Sequence, residues 1–139
     1  MGVMVGLGIF PAVLVALALQ VLLFGFGGLT TLGVNTLNIA LPGAVLGLLL
    51  GPRILGAASA RKAAVLGGLA GALAVLGTGG MVALSLWLSS SDYVPVAKVL
   101  AATYLPLALT EAAVTAFIVA FLVRVQPGAL QPQLKPHLP

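Results

Sequence analysis

The sequence predicts an all-helical, polytopic transmembrane bundle of about four spans, with a re-entrant or irregular loop rich in glycine, threonine and asparagine. Three observations lead there. Hydrophobic residues make up 61% of the chain and charged residues only 6%, whereas a soluble domain carries about 25% charged residues. Mean hydropathy is +1.25. The apolar residues fall in runs long enough to cross a hydrocarbon core, which takes about 20 residues of helix, and the few charges sit between the runs. Residues 1–125 form the transmembrane domain on this reading. Residues 126–139, rich in proline and glutamine and without apolar periodicity, form a disordered tail.

The first span runs from about Val3 to Phe26, interrupted only by Pro11 and Gln20. It differs from a signal peptide, which has a basic start and a short apolar stretch. No basic residue precedes Arg53, and the run from Gly2 to Phe26 is long enough to span. The second span is shorter, from about Leu37 to Leu50, and Gly51-Pro52-Arg53 is expected to stop it. The third runs from about Ala63 to Leu88, after Ser59-Ala60-Arg61-Lys62. The fourth runs from about Val96 to Val123 and contains Pro106 and Glu111. It exceeds what a core of about 30 Å requires, so it is expected to tilt or to break near Pro106.

Basic residues set the orientation. Arg53, Arg61 and Lys62 share one short connection, and Arg124 and Lys135 follow the last span. Two spans separate these places, so both fall on one side, taken as cytoplasmic. Both termini are then cytoplasmic, and the Ser89–Tyr93 loop, with Lys98 near it, lies outside. The net charge of +4 comes from basic residues scattered singly between apolar runs. A nucleic-acid surface needs them clustered on one face, so the partner these residues meet is membrane lipid, not nucleic acid.

The segment Gly25–Asn38 is the candidate functional site. Polar, irregular backbone at membrane depth is tolerated only where protein covers it or where it lines a cavity. Gly27, Gly28, Thr30, Thr31, Asn35 and Asn38 are therefore the candidate substrate-path residues. Thr31-Leu32-Gly33-Val34-Asn35 has a loose likeness to a channel filter, whose carbonyls replace an ion's hydration. A small ion-conducting pore and a membrane scaffold without transport are thus the competing classes.

Gln20 and Glu111 are the polar side chains singled out within spans. A charge at the bilayer centre costs at least about 2.5 kcal/mol on insertion scales. Glu111 is therefore expected to be protonated, paired or turned to a polar interior. One reading gives it a role in transport; the other makes it a hydrogen-bonded packing group, with Gln20, Asn35, Asn38 or Thr110 as candidate partners. Gly43, Gly47 and Gly51 repeat every four residues, as do Gly67 and Gly71. Such spacing lets helix backbones approach closely in lipid, although glycine is frequent throughout this chain.

Catalytic and metal chemistry have little to work with. There are no cysteines, which excludes disulfides and thiolate ligands. The single histidine, His137, has no histidine or carboxylate near it in sequence, and a transition-metal site needs several converging ligands. No enzyme, no bound cofactor and no metal site is expected of this chain.

The stretch Leu19–Asn38 resembles the signature of the CbiM/NikM family, the substrate-specificity membrane subunits of energy-coupling-factor (ECF) cobalt and nickel transporters. Leu105-Pro106 through Glu111, Thr115-Ala116-Phe117 and Phe121–Val125 resemble the family's closing helix. The likeness covers most of residues 5–130. It implies a multi-pass protein of the inner cell membrane that selects cobalt or nickel. A transmembrane coupling subunit and cytoplasmic ATPase subunits would be its partners, and cobalt members would supply cobalamin biosynthesis. Family members usually begin Met-His and bind metal through the terminal amine and early histidines, whereas this chain begins Met1-Gly2-Val3-Met4. The resemblance thus implies a chain lacking the metal-binding N-terminus: a split subunit whose ligands come from a separate polypeptide, a misplaced start, or a remnant.

Overall fold

Helix fills almost all of residues 6–126, the residues that a computed structural model describes. A short 3-10 turn, Gly6–Gly8, leads into α1 (Ile9–Phe24), and another, Leu29–Thr31, leads into α2 (Leu32–Leu55). Then follow α3 (Ala60–Ser89), a 3-10 turn at Ser91–Tyr93, and α4 (Val94–Val125). With their 3-10 turns, four helices are long and apolar enough to cross a membrane. The expected tail and His137 lie outside the described residues, except for Gln126.

Helix ends follow local chemistry. Gly25 ends α1 in the left-handed region at φ +67°, and its N–H donates to the Val21 carbonyl at 3.0 Å. The Ser59 hydroxyl accepts from the Lys62 N–H at 3.2 Å and starts α3. The Ser90 hydroxyl accepts from the Asp92 N–H at the turn into α4.

Three boundaries differ from expectation. The second helix begins at Leu32, not Leu37, and runs through Pro42 and Pro52 to Leu55. Gly51-Pro52-Arg53 therefore does not stop it. A proline removes one backbone donor and leaves the carbonyl four residues earlier, here that of Leu48, without its helical partner, yet the helix runs on for three more residues. There the Gly56 N–H closes on the Pro52 carbonyl, and Arg53 Nη1 donates to the Leu49 carbonyl. The last helix also does not break at Pro106. The Thr103 and Thr110 hydroxyls bond the carbonyls of Leu100 and Pro106 on either side, while the carbonyl that Pro106 deprives of its helical partner is that of Ala102. At about 1.5 Å per residue α4 is about 48 Å long, so it tilts or projects beyond a core of about 30 Å.

The helices pack in chain order: α1 on α2, α2 on α3, α3 on α4. Neighbours are antiparallel. Gly67 meets Val119, Gly71 meets Thr115 and Gly79 meets Tyr104, so the partners on α4 run backward as α3 advances. Small residues fill the interior: Ala40, Ala44, Ala63, Ala70 and Ala108 are buried, with Ile9, Ile54 and Val119 among the larger ones. Leu22, Leu109 and Phe117 face outward. Small side chains inside and bulky apolar ones outside is the arrangement that suits lipid, where close backbone packing replaces the hydrophobic drive.

The antiparallel order sorts polar residues to two ends. Gly25–Thr31, the Ser89–Tyr93 turn and the start of α4 share one end. Arg53, Arg61, Lys62 and Arg124 share the other, with Ile54 of α2 packed near Ala63 of α3.

Candidate functional site

Polar groups gather in two places: the glycine-threonine end of the bundle and a cavity at mid-depth. At the glycine-threonine end, Gly25 and Gly27 take positive φ (+67° and +84°), a conformation that side chains resist. That double kink turns the chain from α1 into the 3-10 turn. The Thr31 hydroxyl then donates to the Gly28 carbonyl at 3.1 Å, and Asn35 Nδ2 donates to Thr31 Oγ1 at 3.3 Å. The Thr36 hydroxyl donates to the Leu32 carbonyl at 2.7 Å. Asn38 is buried, and its Oδ1 accepts from the Ser85 hydroxyl of α3 at 3.2 Å.

The six candidate substrate-path residues thus divide. Gly27, Gly28, Thr30 and Thr31 lie in the irregular stretch. Asn35 and Asn38 lie on α2, because helix resumes at Leu32. The irregular segment is present but shorter than the polar composition suggests. Asn35 ties α2 back to its own start, whereas Asn38 ties α2 to α3. Ser85 was not foreseen. A lone serine in an apolar helix gives little signal, since it can bond its own preceding turn, and Ser85 also donates to the Met81 carbonyl at 2.8 Å.

The cavity, of about 360 Å³, is lined from all four helices. Its walls combine Ile, Leu and Val with glycine and alanine; its polar groups are Glu111, Thr115 and Thr78. The Thr115 hydroxyl donates to Glu111 Oε1 at 2.8 Å. Glu111 is therefore paired with a residue one turn further along its own helix, not with Gln20, Asn35, Asn38 or Thr110 as the sequence suggested. Residues four apart on a helix face one another, and no other element needs to move to make this bond. Thr110 instead bonds its own helix, and Gln20 is exposed on α1, away from the cavity. Gly71 makes room for the pair: a Cβ there would stand 2.8 Å from Thr115 Oγ1 and 3.2 Å from Glu111 Cγ.

The glycine series divides in the same way. Gly43, Gly47, Gly67 and Gly71 line the cavity, while Gly51 is buried outside it. Gly43 meets Ile9 of α1, and Gly67 meets Val119 of α4. Three more close approaches were not singled out beforehand: Gly68 on the Ala112 backbone, Gly77 on Pro42 and Gly79 on Tyr104. Gly68 and Gly77 fall outside that four-residue repeat, and Gly79, though in phase with Gly67 and Gly71, is cut off from them by Val75, so spacing alone does not single them out.

Chemically, the described residues offer oxygen donors: amides, hydroxyls and the two carboxyls of Asp92 and Glu111. Among them, no group of three or more His, Cys, Asp or Glu is placed to share a metal ion. Oxygen groups of this kind suit a hydrated cation in passage better than tight retention of a transition metal.

Two comparisons bear on what this arrangement serves. The family model described as "Cobalt uptake substrate-specific transmembrane region" (CbiM) matches residues 1–129. A protein of Haemophilus influenzae, described as a "Putative metal transport protein", is 28% identical over 130 residues. That match takes in 93% of this chain and 63% of the relative, so the chain spans less than two thirds of the relative's length. No solved structure matches.

Proposed function

We propose a function from one premise: the chain belongs to the CbiM family, the substrate-specific transmembrane regions of cobalt uptake. It acts as the substrate-specificity subunit of an ATP-driven ECF importer for cobalt or nickel, and in the cobalt case the metal goes to cobalamin synthesis. The family is one of transport components, not enzymes. The match over residues 1–129 is the observation that carries this reading.

ATP hydrolysis belongs to cytoplasmic ATPase partners, and a transmembrane coupling subunit conveys it. The protein sits in the inner membrane with its basic end in the cytoplasm, in keeping with Arg53, Arg61, Lys62 and Arg124. The glycine-threonine end then faces outward, where the metal arrives. There Gly27, Gly28 and Thr30 leave backbone and hydroxyl oxygens accessible, while Thr31, Asn35 and Asn38 hold the start of α2 in place. This end receives the hydrated ion. Tight selection among transition metals calls for nitrogen ligands as well, and we assign these to a further polypeptide segment working with this chain.

Uptake of radioactive cobalt into vesicles tests the reading. With the coupling and ATPase subunits and the nitrogen-ligand segment present, uptake should require ATP. Asn38→Leu, which leaves the Ser85 hydroxyl without its cross-helix acceptor, should reduce it. The isolated chain in planar bilayers should conduct no ions. Robust conductance from the chain alone, altered in selectivity by Gly33→Ala, would reject the importer in favour of a pore.

A further inference from the structure

The four helices are not held alike. α2, α3 and α4 are tied together at several levels. Asn38 of α2 and Ser85 of α3 share a hydrogen bond, and Gly77 of α3 meets Pro42 of α2. Gly67, Gly68, Gly71 and Gly79 of α3 all meet α4 closely. α1 is held in one place. Its extensive contact with another helix is with α2, and among the described residues of α1 only Ile9 is buried. Ile9, Phe10 and Val13 pack with Ala40 and Ala44 of α2. Ile9 Cδ1 lies so near Gly43 that a Cβ there would stand 2.8 Å from it. The seat is at the start of α1, and its members are apolar. In lipid such a seat is held by packing, without the hydrophobic drive that would fix it in water.

The other end of α1 is built to turn. The two left-handed glycines, Gly25 and Gly27, flank Phe26. A Cβ at Gly25 would meet nothing within 4 Å, and Phe26 is exposed, so packing leaves this backbone room to rotate. The Gly25 N–H bonds back to Val21, and the Gly28 carbonyl accepts from Thr31 ahead of it. Among the described residues, no hydrogen bond links the two sides of Phe26–Gly27. Hinges are a few loop residues of this kind, which absorb a change in φ and ψ.

The seat and the cavity share a side chain. Ile9 is the contribution of α1 to the cavity wall. We propose that α1 is a hinged gate: it pivots about Gly25–Gly27, and lifting Ile9 off Gly43 opens the cavity that holds Glu111 and Thr115. The helix has 16 residues. That makes a lever of about 24 Å, so a swing of about 20° carries the Ile9 end by about 8 Å and leaves Phe24 almost in place. α2, α3 and α4 are the frame against which the gate moves. The proposal rests on the hinge and the seat, not on the transported ion, so metal uptake tests the importer reading separately.

The chain contains no cysteine, so pairs of introduced cysteines take spin labels at chosen sites. The full chain is reconstituted in phosphatidylcholine liposomes, and pulsed electron resonance measures the distance within each pair. Leu7→Cys with Leu69→Cys reports the seated end of α1 against α3. Leu23→Cys with Leu88→Cys reports the hinge end. All four leucines are exposed. The first pair should show two distances, with the minor, open one holding about a tenth of the molecules, and the second pair should show one. Gly43→Leu, which fills the seat of Ile9, should shift most molecules of the first pair to the open distance. Gly80→Leu, at a site with nothing within 4 Å, should leave the distribution unchanged. A first pair as narrow as the second, or two pairs equally broad, would overturn the proposal. So would a first-pair distribution that Gly43→Leu does not change. The comparison of the two pairs without further substitution decides the matter even if Gly43→Leu fails to fold.

Discussion

Gly68 and Gly80 lie on the same helix and answer opposite questions. A Cβ at Gly68 would stand 2.8 Å from the Ala112 carbonyl oxygen and 3.1 Å from Ala116 Cβ. Neither neighbour can rotate away: one is backbone and the other is bonded directly to it. α4 would have to move outward by a few tenths of an ångström, and it is held against α3 along the register from Gly67–Val119 to Gly79–Tyr104. A Cβ at Gly80 meets nothing within 4 Å. Alanine gains about 1 kcal/mol of helix propensity over glycine at either site. Overpacking at Gly68 costs about 1–3 kcal/mol. Gly68→Ala should therefore range from neutral to about 2 kcal/mol destabilising, and Gly80→Ala should be neutral to stabilising. The difference between the two variants cancels the propensity gain and leaves the steric cost, roughly a 5- to 150-fold change in the unfolding equilibrium. Reversible unfolding in mixed micelles, followed by circular dichroism and by the fluorescence of the single tryptophan, Trp87, measures it. Equal stability of the two variants within about 0.5 kcal/mol, the usual spread for substitutions without a structural consequence, would refute the close approach of α3 and α4.

Other consequences are open to simple measurement. Topology reporters fused after Ser59 and after Ser91 should report opposite sides of the membrane, the first cytoplasmic; the same side for both would contradict the four-span arrangement. A double-mutant cycle between Asn38→Ala and Ser85→Ala should give a coupling of about 0.6 kcal/mol, typical of hydrogen bonds between membrane helices, and zero coupling would remove the α2–α3 bond. Titration calorimetry on the purified chain should find no submicromolar cobalt site. One such site per chain, retained in His137→Ala, would mean that oxygen donors suffice.

The membrane class and the number of spans were legible in the residues because each depends on short-range chemistry. A long apolar run has one low-energy home. Gly43, Gly67 and Gly71 could also be picked out, since a four-residue repeat defines one helix face. What packing partners decide could not be read the same way. Pro52 and Pro106 looked like breaks, yet both helices continue past them. Asn35 and Asn38 looked alike in sequence; tertiary contact buries Asn38 against Ser85 and leaves Asn35 bonded to its own helix start. Gly68, Gly77 and Gly79 matter only because Ala112, Pro42 and Tyr104 come to meet them. Glu111 could be recognised as costly from its place in an apolar run. That it lies in a cavity beside Thr115, with Gly71 yielding the space, follows from how α3 and α4 register, and helix register is a property of two surfaces together rather than of either strand of sequence alone.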